Sequence, residues 1–377
     1  MSNKANIRGY EKLVSAIESL LHESRSKVIR EVNQNIISTY WHIGRYIVEF
    51  EQKGKKRAEY GTGLLKKLAA DLTKSFGKGY SYRNLQLIKK FYQKFPIVQS
   101  LIAQSKNPIG QSPIAFSENP MMAQFSDNKL QVPPVKSELS KVQSVIAQLS
   151  WTHFVRLLSV SNEDERNFYL IETVENNWSV RELDRQINSS LYERLLLSKD
   201  KKEVKALAEK GQMVENINDL MKDPYILEFL GLEESHKYSE NDLETAIIDN
   251  LGKFLLELGK GFSFVARQQR FSADTDHFYI DLVFYNRLLK CFVLFDLKIG
   301  KIKHQDIGQM QMYVNYYDRE IKTSEENPTI GIILCKEKHD FVIKYTLPEN
   351  NNQIFAKKYQ LYLPKKEELK KLLQQYL

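Results

Sequence analysis

The chain has few of the residues that staple or anchor a fold from outside. Its 377 residues include two cysteines, Cys291 and Cys335, too few for a disulfide framework or a four-thiolate zinc site, so an intracellular chain with reduced thiols is expected. The seven histidines are scattered without metal-ligand spacing, which argues against zinc chemistry. No glycine-rich loop ending in Lys-Ser or Lys-Thr occurs, which excludes that type of phosphate cradle. The longest apolar runs, such as residues 330–335, are far shorter than the roughly 20 residues of a membrane span. The first residues lack an apolar signal region, so no membrane association and a cytoplasmic location are expected. Proline is scarce outside one stretch. Six of the ten prolines lie between Pro96 and Pro134, where only Lys106, Glu118, Asp127 and Lys129 are charged. Such a segment has little to bury against the entropy of ordering it, and residues 98–137 read as a flexible linker or insertion.

What remains is ordinary globular material, 42% hydrophobic and 27% charged with a net charge of +8, enough for about two domains and mildly in favour of a polyanionic partner. Up to the proline-rich stretch the pattern is helical. Leu13, Ile17, Leu20, Leu21, Ile36, Ile37, Trp41, Ile43 and Ile47 recur at three-to-four spacing, which suits helices packing on one another. Beyond it a helix is expected from Ser150, and Ser179 with Glu182 forms a capping box for another. A helical domain is therefore predicted over residues 1–97, continued at 138–200. A linker at 201–218 then leads to a second domain at 219–377.

In that second domain the period changes. One amphipathic helix is predicted from Leu243 to Leu258, followed by strands Phe262 to Phe271, Phe278 to Tyr285 and Cys291 to Leu297. A helix from Gln305 to Tyr317, a buried strand from Thr329 to Cys335, and a last strand near Gln360 to Leu363 complete an α/β domain. Asp296 and Lys298 share one face of their strand because side chains alternate. Folding the hairpin back sets Asp281 almost opposite Asp296. Two carboxylates and a lysine at a sheet end would suit Mg²⁺, with Mn²⁺ as a substitute, and metal-assisted phosphodiester hydrolysis. The same residues would also suit a structural ion pair on a sheet rim.

The run Asp281 … Asp296-Leu-Lys298, an upstream acidic helix and Gln309-Met-Gln-Met-Tyr313 resemble the PD-(D/E)xK nuclease superfamily. Further stretches, among them Tyr40-Trp-His-Ile-Gly-Arg45, Phe254-Leu-Leu-Glu-Leu-Gly259 and Ile280-Asp-Leu-Val-Phe-Tyr285, make the whole chain similar to the YhcG-like family. That family joins an uncharacterised helical N-terminal domain to a PD-(D/E)xK domain. The resemblance implies an α+β multidomain fold whose C-terminal part is restriction-endonuclease-like, a mixed central sheet flanked by helices. It implies Asp281 and Asp296 as metal ligands, Lys298 as the catalytic lysine and Gln309 as a supporting polar group. Glu244 matches the acidic residue of the first helix, with Asp249 and Glu257 as rivals. Tyr313 is open between core and site. The proline of the family name is absent, since Ile280 precedes Asp281. Arg267 and Gln268 are candidates for phosphate contact or for lining a strand edge.

Residues 51–95 carry a net charge of +9 against +8 for the whole chain, so the rest nearly cancels. Helices from Leu64 to Phe76 and Tyr82 to Phe95, with Ser81 as N-cap of the second, resemble a helix-turn-helix. Its exposed face would present Arg83, Asn84, Lys89, Lys90 and Lys94 to phosphates; a solvated helical hairpin is the plain alternative. The leading expectation is a Mg²⁺-dependent deoxyribonuclease whose helical domain binds or positions DNA, with RNA not excluded and a homodimer left open. The alternative is a nucleic-acid-binding or complex-assembly protein on a nuclease-like fold that does not cleave.

Overall fold

The computed structural model describes residues 2–53, 61–95, 148–197, 207, 210–232, 238–273 and 276–369. The expected linker at 98–137 and part of that at 201–218 lie outside these residues. One unit comprises Met1–Arg166 with Thr173–Val180, the other Asn167–Glu172 with Arg181–Leu377.

In the first unit, α1 (Ser2–Lys53) is one continuous helix, where the periodicity suggested several packing on one another. No proline interrupts it. Among the described residues only its second half is packed: Ile37, Trp41 and Ile47 are buried, while Leu13, Ile17, Leu20 and Leu21 are exposed. Gly44 permits the crossing with a later helix, because a Cβ there would stand 2.6 Å from the Ile88 carbonyl oxygen. That later helix is α3 (Tyr82–Lys94), which follows α2 (Gly61–Phe76) through a turn at Gly77. The predicted cap is present, the Asn84 N–H donating to Ser81 Oγ at 3.3 Å. Leu65, Ala69, Leu85 and Ile88 join Ile47 in the core of this hairpin, and α4 (Trp151–Leu157) adds Trp151 and Phe154 against Phe91.

The next helices are α5 (Glu163–Glu175), α6 (Val180–Asn188), which starts where its capping box predicts, and α7 (Leu191–Leu196). The second unit holds a six-stranded sheet, β1 (Tyr225–Ile226), β2 (Phe262–Ala273), β3 (Asp276–Asn286), β4 (Cys291–Lys301), β5 (Ile330–Glu337) and β6 (Ile354–Gln360). Its order is β1-β6-β5-β4-β3-β2; the β2-β3-β4 part is antiparallel and the rest parallel. The last strand therefore lies six residues before the predicted 360–363. The predicted helix Leu243 to Leu258 is two, α8 (Glu240–Asp249) and α9 (Leu251–Leu258). They break at Asn250, whose side chain donates to the Ala246 carbonyl at 3.1 Å while its own carbonyl starts the next helix.

Alternation on β4 sorts the core. Val293, Phe295 and Leu297 pack with Leu243, Ile247, Phe254 and Leu258 of α8 and α9. Leu294 packs with Ile307, Met310, Tyr313 and Val314 of α10 (His304–Tyr316) on the other face. Gly331 lets α10 lie close to the sheet, since a Cβ there would stand 2.5 Å from the Met310 sulfur. The packing also gathers α6 and α7 with the sheet, although residues up to 200 were expected to belong to the helical domain. Arg185 of α6 and Arg194 of α7 both reach the Glu257 carboxylate on α9, at 3.2 and 2.5 Å.

Candidate active site

The site grows out of an interrupted ladder. β3 and β4 pair from Asn286 with Cys291 to Leu282 with Phe295. One step further the register would set Asp281 against Asp296, and there the pairing stops. The Leu297 N–H donates instead to the Asp281 carboxylate at 2.8 Å, so a side-chain acceptor serves a donor that the parted strands leave free. β4 continues along β5 alone, Asp296 opposite Ile333 and Lys298 opposite Cys335.

Gln268 lies across from Asp281 on β2, between the pairs Arg267–Leu282 and Gln269–Ile280. Its backbone is left-handed, φ 45°, an uncommon state for a residue other than glycine and one found at functional sites. Its amide donates to Glu244 Oε2 and, at 3.2 Å, to Asp281 Oδ1. Glu244, buried on α8, has Arg267 Nε 3.0 Å from Oε1. Asp296 Oδ2 lies 2.9 Å from Lys298 Nζ, and Glu240 Oε2 lies 3.7 Å from the same amine. On α10, Gln309 donates to the Tyr313 hydroxyl, which donates to the Tyr279 carbonyl of β3 at 2.8 Å.

Charge is incompletely balanced here. Burial, then the neighbouring Asp281, push the Asp296 carboxyl up to about 7 despite Lys298. Burial likewise raises Asp281, against the Leu297 N–H and Lys298. Burial would lower Lys298, but the Asp296 carboxylate beside it prevails and holds the amine protonated well above its ordinary range. Tyr313 is pushed up to about 12 by burial and by Asp296, so it serves as a neutral donor.

Two buried carboxylate oxygens, Glu244 Oε1 and Asp296 Oδ2, accept no hydrogen bond among the described residues; each is met only by the side-chain cation named above. Hard oxygen donors neutralised by displaceable cations are a fitting donor set for a hard divalent ion. No three carboxylate, imidazole or thiol groups among the described residues stand close enough to form a finished cage, so Asp281 and Asp296 with Glu244 would have to draw together around an ion.

Most of the sequence candidates converge. Asp281, Glu244, Gln268 and Arg267 form one bonded group and Asp296 with Lys298 another, the two meeting where the Leu297 N–H donates to Asp281, with Gln309 linked through Tyr313 to β3. Arg267 and Gln268, read as phosphate contacts, both engage carboxylates, although Arg267 stays partly exposed. Asp249 is exposed, and Glu257 is taken by Arg185, Arg194 and the Ile226 N–H at 3.0 Å, so Glu244 is the first-helix acid brought to the group. Sequence reasoning missed Glu240, whose only signal was its place in the first turn of α8. In the first unit, Arg83, Lys90 and Lys94 are exposed. Lys89 instead pairs with Glu51 at 2.5 Å, and Asn84 is held by Trp151 Nε1 at 3.0 Å and bonds the Gly79 carbonyl. Those two are therefore not free to serve the expected phosphate face.

Comparison with known proteins divides the chain later than the packing does, between residues 194 and 218. Residues 218–374 match the YhcG PDDEXK nuclease domain, and residues 16–131 and 121–194 match the DUF1016 N-terminal domain. The chain is 39% identical over 365 residues to the "Putative nuclease YhcG" of Escherichia coli (strain K12), covering 96% of this chain and 92% of that one. Among solved structures, a repair endonuclease from Pyrococcus abyssi matches at 16% identity over 35% of this chain and 50% of its own, with a TM-score of 0.23. EndoMS in apo form matches at the same identity and TM-score over 35% and 49%. Likenesses that slight carry no argument about this chain. No helix among the described residues is long and apolar enough to cross a membrane.

Proposed function

The chain belongs to the YhcG family, whose C-terminal part is a PDDEXK nuclease domain, and from that premise we propose that it is a Mg²⁺-dependent deoxyribonuclease. The observation that carries this reading is the group of Asp281, Asp296 and Lys298 where β3 and β4 part, with Asp296 buried and under-compensated. Buried carboxylates pushed away from their ordinary range by desolvation and a like neighbour mark functional sites more often than structural ones.

Asp281, Asp296 and Glu244 would hold the ion. Bound there, a divalent cation supplies Lewis-acid polarisation of a phosphoryl oxygen and a more acidic attacking water. Lys298 is a cation at neutral pH, so it acts by charge and by donating hydrogen bonds, orienting water or stabilising the negative charge that develops on phosphate, and not as a proton acceptor. Gln268 is a positioning residue, since one amide fixes the spacing of Glu244 and Asp281. Arg267, partly exposed beside Glu244, is placed to meet a substrate phosphate. The exposed Arg83, Lys90 and Lys94 on α3 support a role for the first unit in gripping the DNA backbone.

The test is a cleavage assay of the full chain on circular, linear, single-stranded and branched DNA and on RNA, with and without Mg²⁺ or Mn²⁺. Cleavage of a DNA substrate with metal, lost in Asp296→Ala and Lys298→Ala while the circular dichroism spectrum is kept, is expected. Absence of cleavage on every substrate, with no calorimetric metal binding that depends on Asp281 and Asp296, would remove the nuclease reading.

A further inference from the structure

The first half of α1 has no use in the nuclease reading. From Ser15 to Val32 every residue is exposed, and no described element packs there. Most helical stability in proteins comes from packing an apolar face, and this half carries large apolar side chains with no described element against them. From Leu13 to Ile36, with Tyr10 lying outside the set, the exposed ones fall in an order that reads the same from either end. Leu13, Ile17, Leu20 and Leu21 are separated by four, three and one residues; then, after seven, Val28, Ile29, Val32 and Ile36 are separated by one, three and four. The sequence of steps is therefore symmetric about the midpoint between Ser24 and Arg25.

Charge follows the same midpoint with opposite sign. Residues 10–24 carry Glu11, Glu18 and Glu23 against Lys12, and residues 25–36 carry Arg25, Lys27 and Arg30 against Glu31. One half is net −2 and the other net +2.

We propose that α1 pairs with α1 of a second copy of this chain, antiparallel, about a two-fold axis at Ser24 and Arg25. A two-fold contact requires that a patch be complementary to itself, residue i meeting j while j meets i. In this register Leu13 meets the partner's Ile36, Ile17 the partner's Val32, Leu20 the partner's Ile29 and Leu21 the partner's Val28. The acidic half of each helix then lies along the basic half of the other, whereas a parallel pair would set like on like. The eight side chains keep between 37% and 66% of their surface, on the order of 700 Å² per copy, close to the roughly 800 Å² that each partner of a stable interface buries. The contact spans about 35 Å of helix. At Ile37 the helix enters the core of its own unit and the symmetric set ends, Tyr46 and Phe50 being exposed further along. An assembly joined this way carries two nuclease domains, and so two copies of the Asp296 site.

The test uses the full chain in sedimentation equilibrium. The wild type is expected to be dimeric at micromolar concentration. Leu20→Glu with Leu21→Glu, both exposed among the described residues, should weaken dimerisation by at least about 100-fold while the near-ultraviolet circular dichroism of the folded body is unchanged. Orientation is read by disulfide trapping, the native Cys291 and Cys335 both being buried. Ser24→Cys should cross-link to itself. Ile17→Cys should not cross-link to itself but should cross-link to Val32→Cys on a second chain. Self-linking of Ile17→Cys as efficient as that of Ser24→Cys means a parallel pair and overturns the proposal. So does a monomeric wild type, including one in which hydrogen exchange shows the exposed face covered by another segment of the same chain. A dimer that survives the double glutamate variant places the interface elsewhere and also overturns it. None of these readouts depends on cleavage, so a chain that dimerises this way and cuts nothing leaves the inference standing and removes only the nuclease reading.

Discussion

Two buried carboxylates in the same unit have opposite fates. Glu257 is fully enclosed, yet Arg194, Lys222 and Arg185 overcome that burial and hold it down at about 2; the Ile226 N–H adds a hydrogen bond at 3.0 Å. Asp296 is almost as deeply enclosed, but it has one lysine and another carboxylate for neighbours, and it is pushed up to about 7. Burial is shared, so compensation decides the difference. The acid that joins helices to sheet is fully compensated, while Asp296 is left short of positive charge, as the proposed metal site requires.

The strongest way to break that contrast is to remove the compensated acid. Glu257→Gln strands Arg194 and Lys222 in the interior and should lower stability by about 3–5 kcal/mol, seen as a fall in the urea midpoint with or without divalent metal. Next comes the uncompensated acid. Because the folded-state value of Asp296 lies above the unfolded value of ~3.9, the native state holds the extra proton between the two. Its contribution to stability is complete below about pH 4 and is lost as pH rises through about 7. Relative to Asp296→Asn, metal-free wild type should therefore lose about 1–3 kcal/mol between pH 4 and pH 8. Parallel pH curves for the two proteins would remove the contrast. Gln268→Ala should leave the fold intact but weaken divalent-metal binding by about 10- to 100-fold by titration calorimetry, as loss of supporting hydrogen bonds does elsewhere. The smallest effect is expected for Tyr313→Phe, which loses the bonds to Gln309 and the Tyr279 carbonyl and should cost about 1 kcal/mol in thermal unfolding.

Much of the centre was legible because it follows from strand alternation and hairpin register. Asp281 across from Asp296, and Lys298 on the same strand face, need only period two and a short turn. Glu244 was preferred to its rivals for sharing a helical face with Ile248, Leu251 and Leu255, but that helix breaks at Asn250 and the buried residues beside Glu244 are Leu243 and Ile247. What was hidden depends on tertiary contact. Gln268 bridges two acids only because its backbone turns left-handed, a state that nothing in Arg-Gln-Gln-Arg announces. The pairing of Lys89 with Glu51 depends on how two helices cross, so a run of positive charge overstated the free basic face. The apolar positions of α1 were read as packing between helices of one chain because periodicity reports that a face wants cover and not whose surface supplies it.

The Leu297 N–H is a gauge built into the backbone. It donates to a carboxylate and not to a strand, so its amide proton resonance responds directly to the charge on Asp281, beside that of the adjoining Asp296. A chemist titrating acid or cation into labelled protein could follow the state of the site from one cross-peak, without a substrate and without waiting for a bond to be cut.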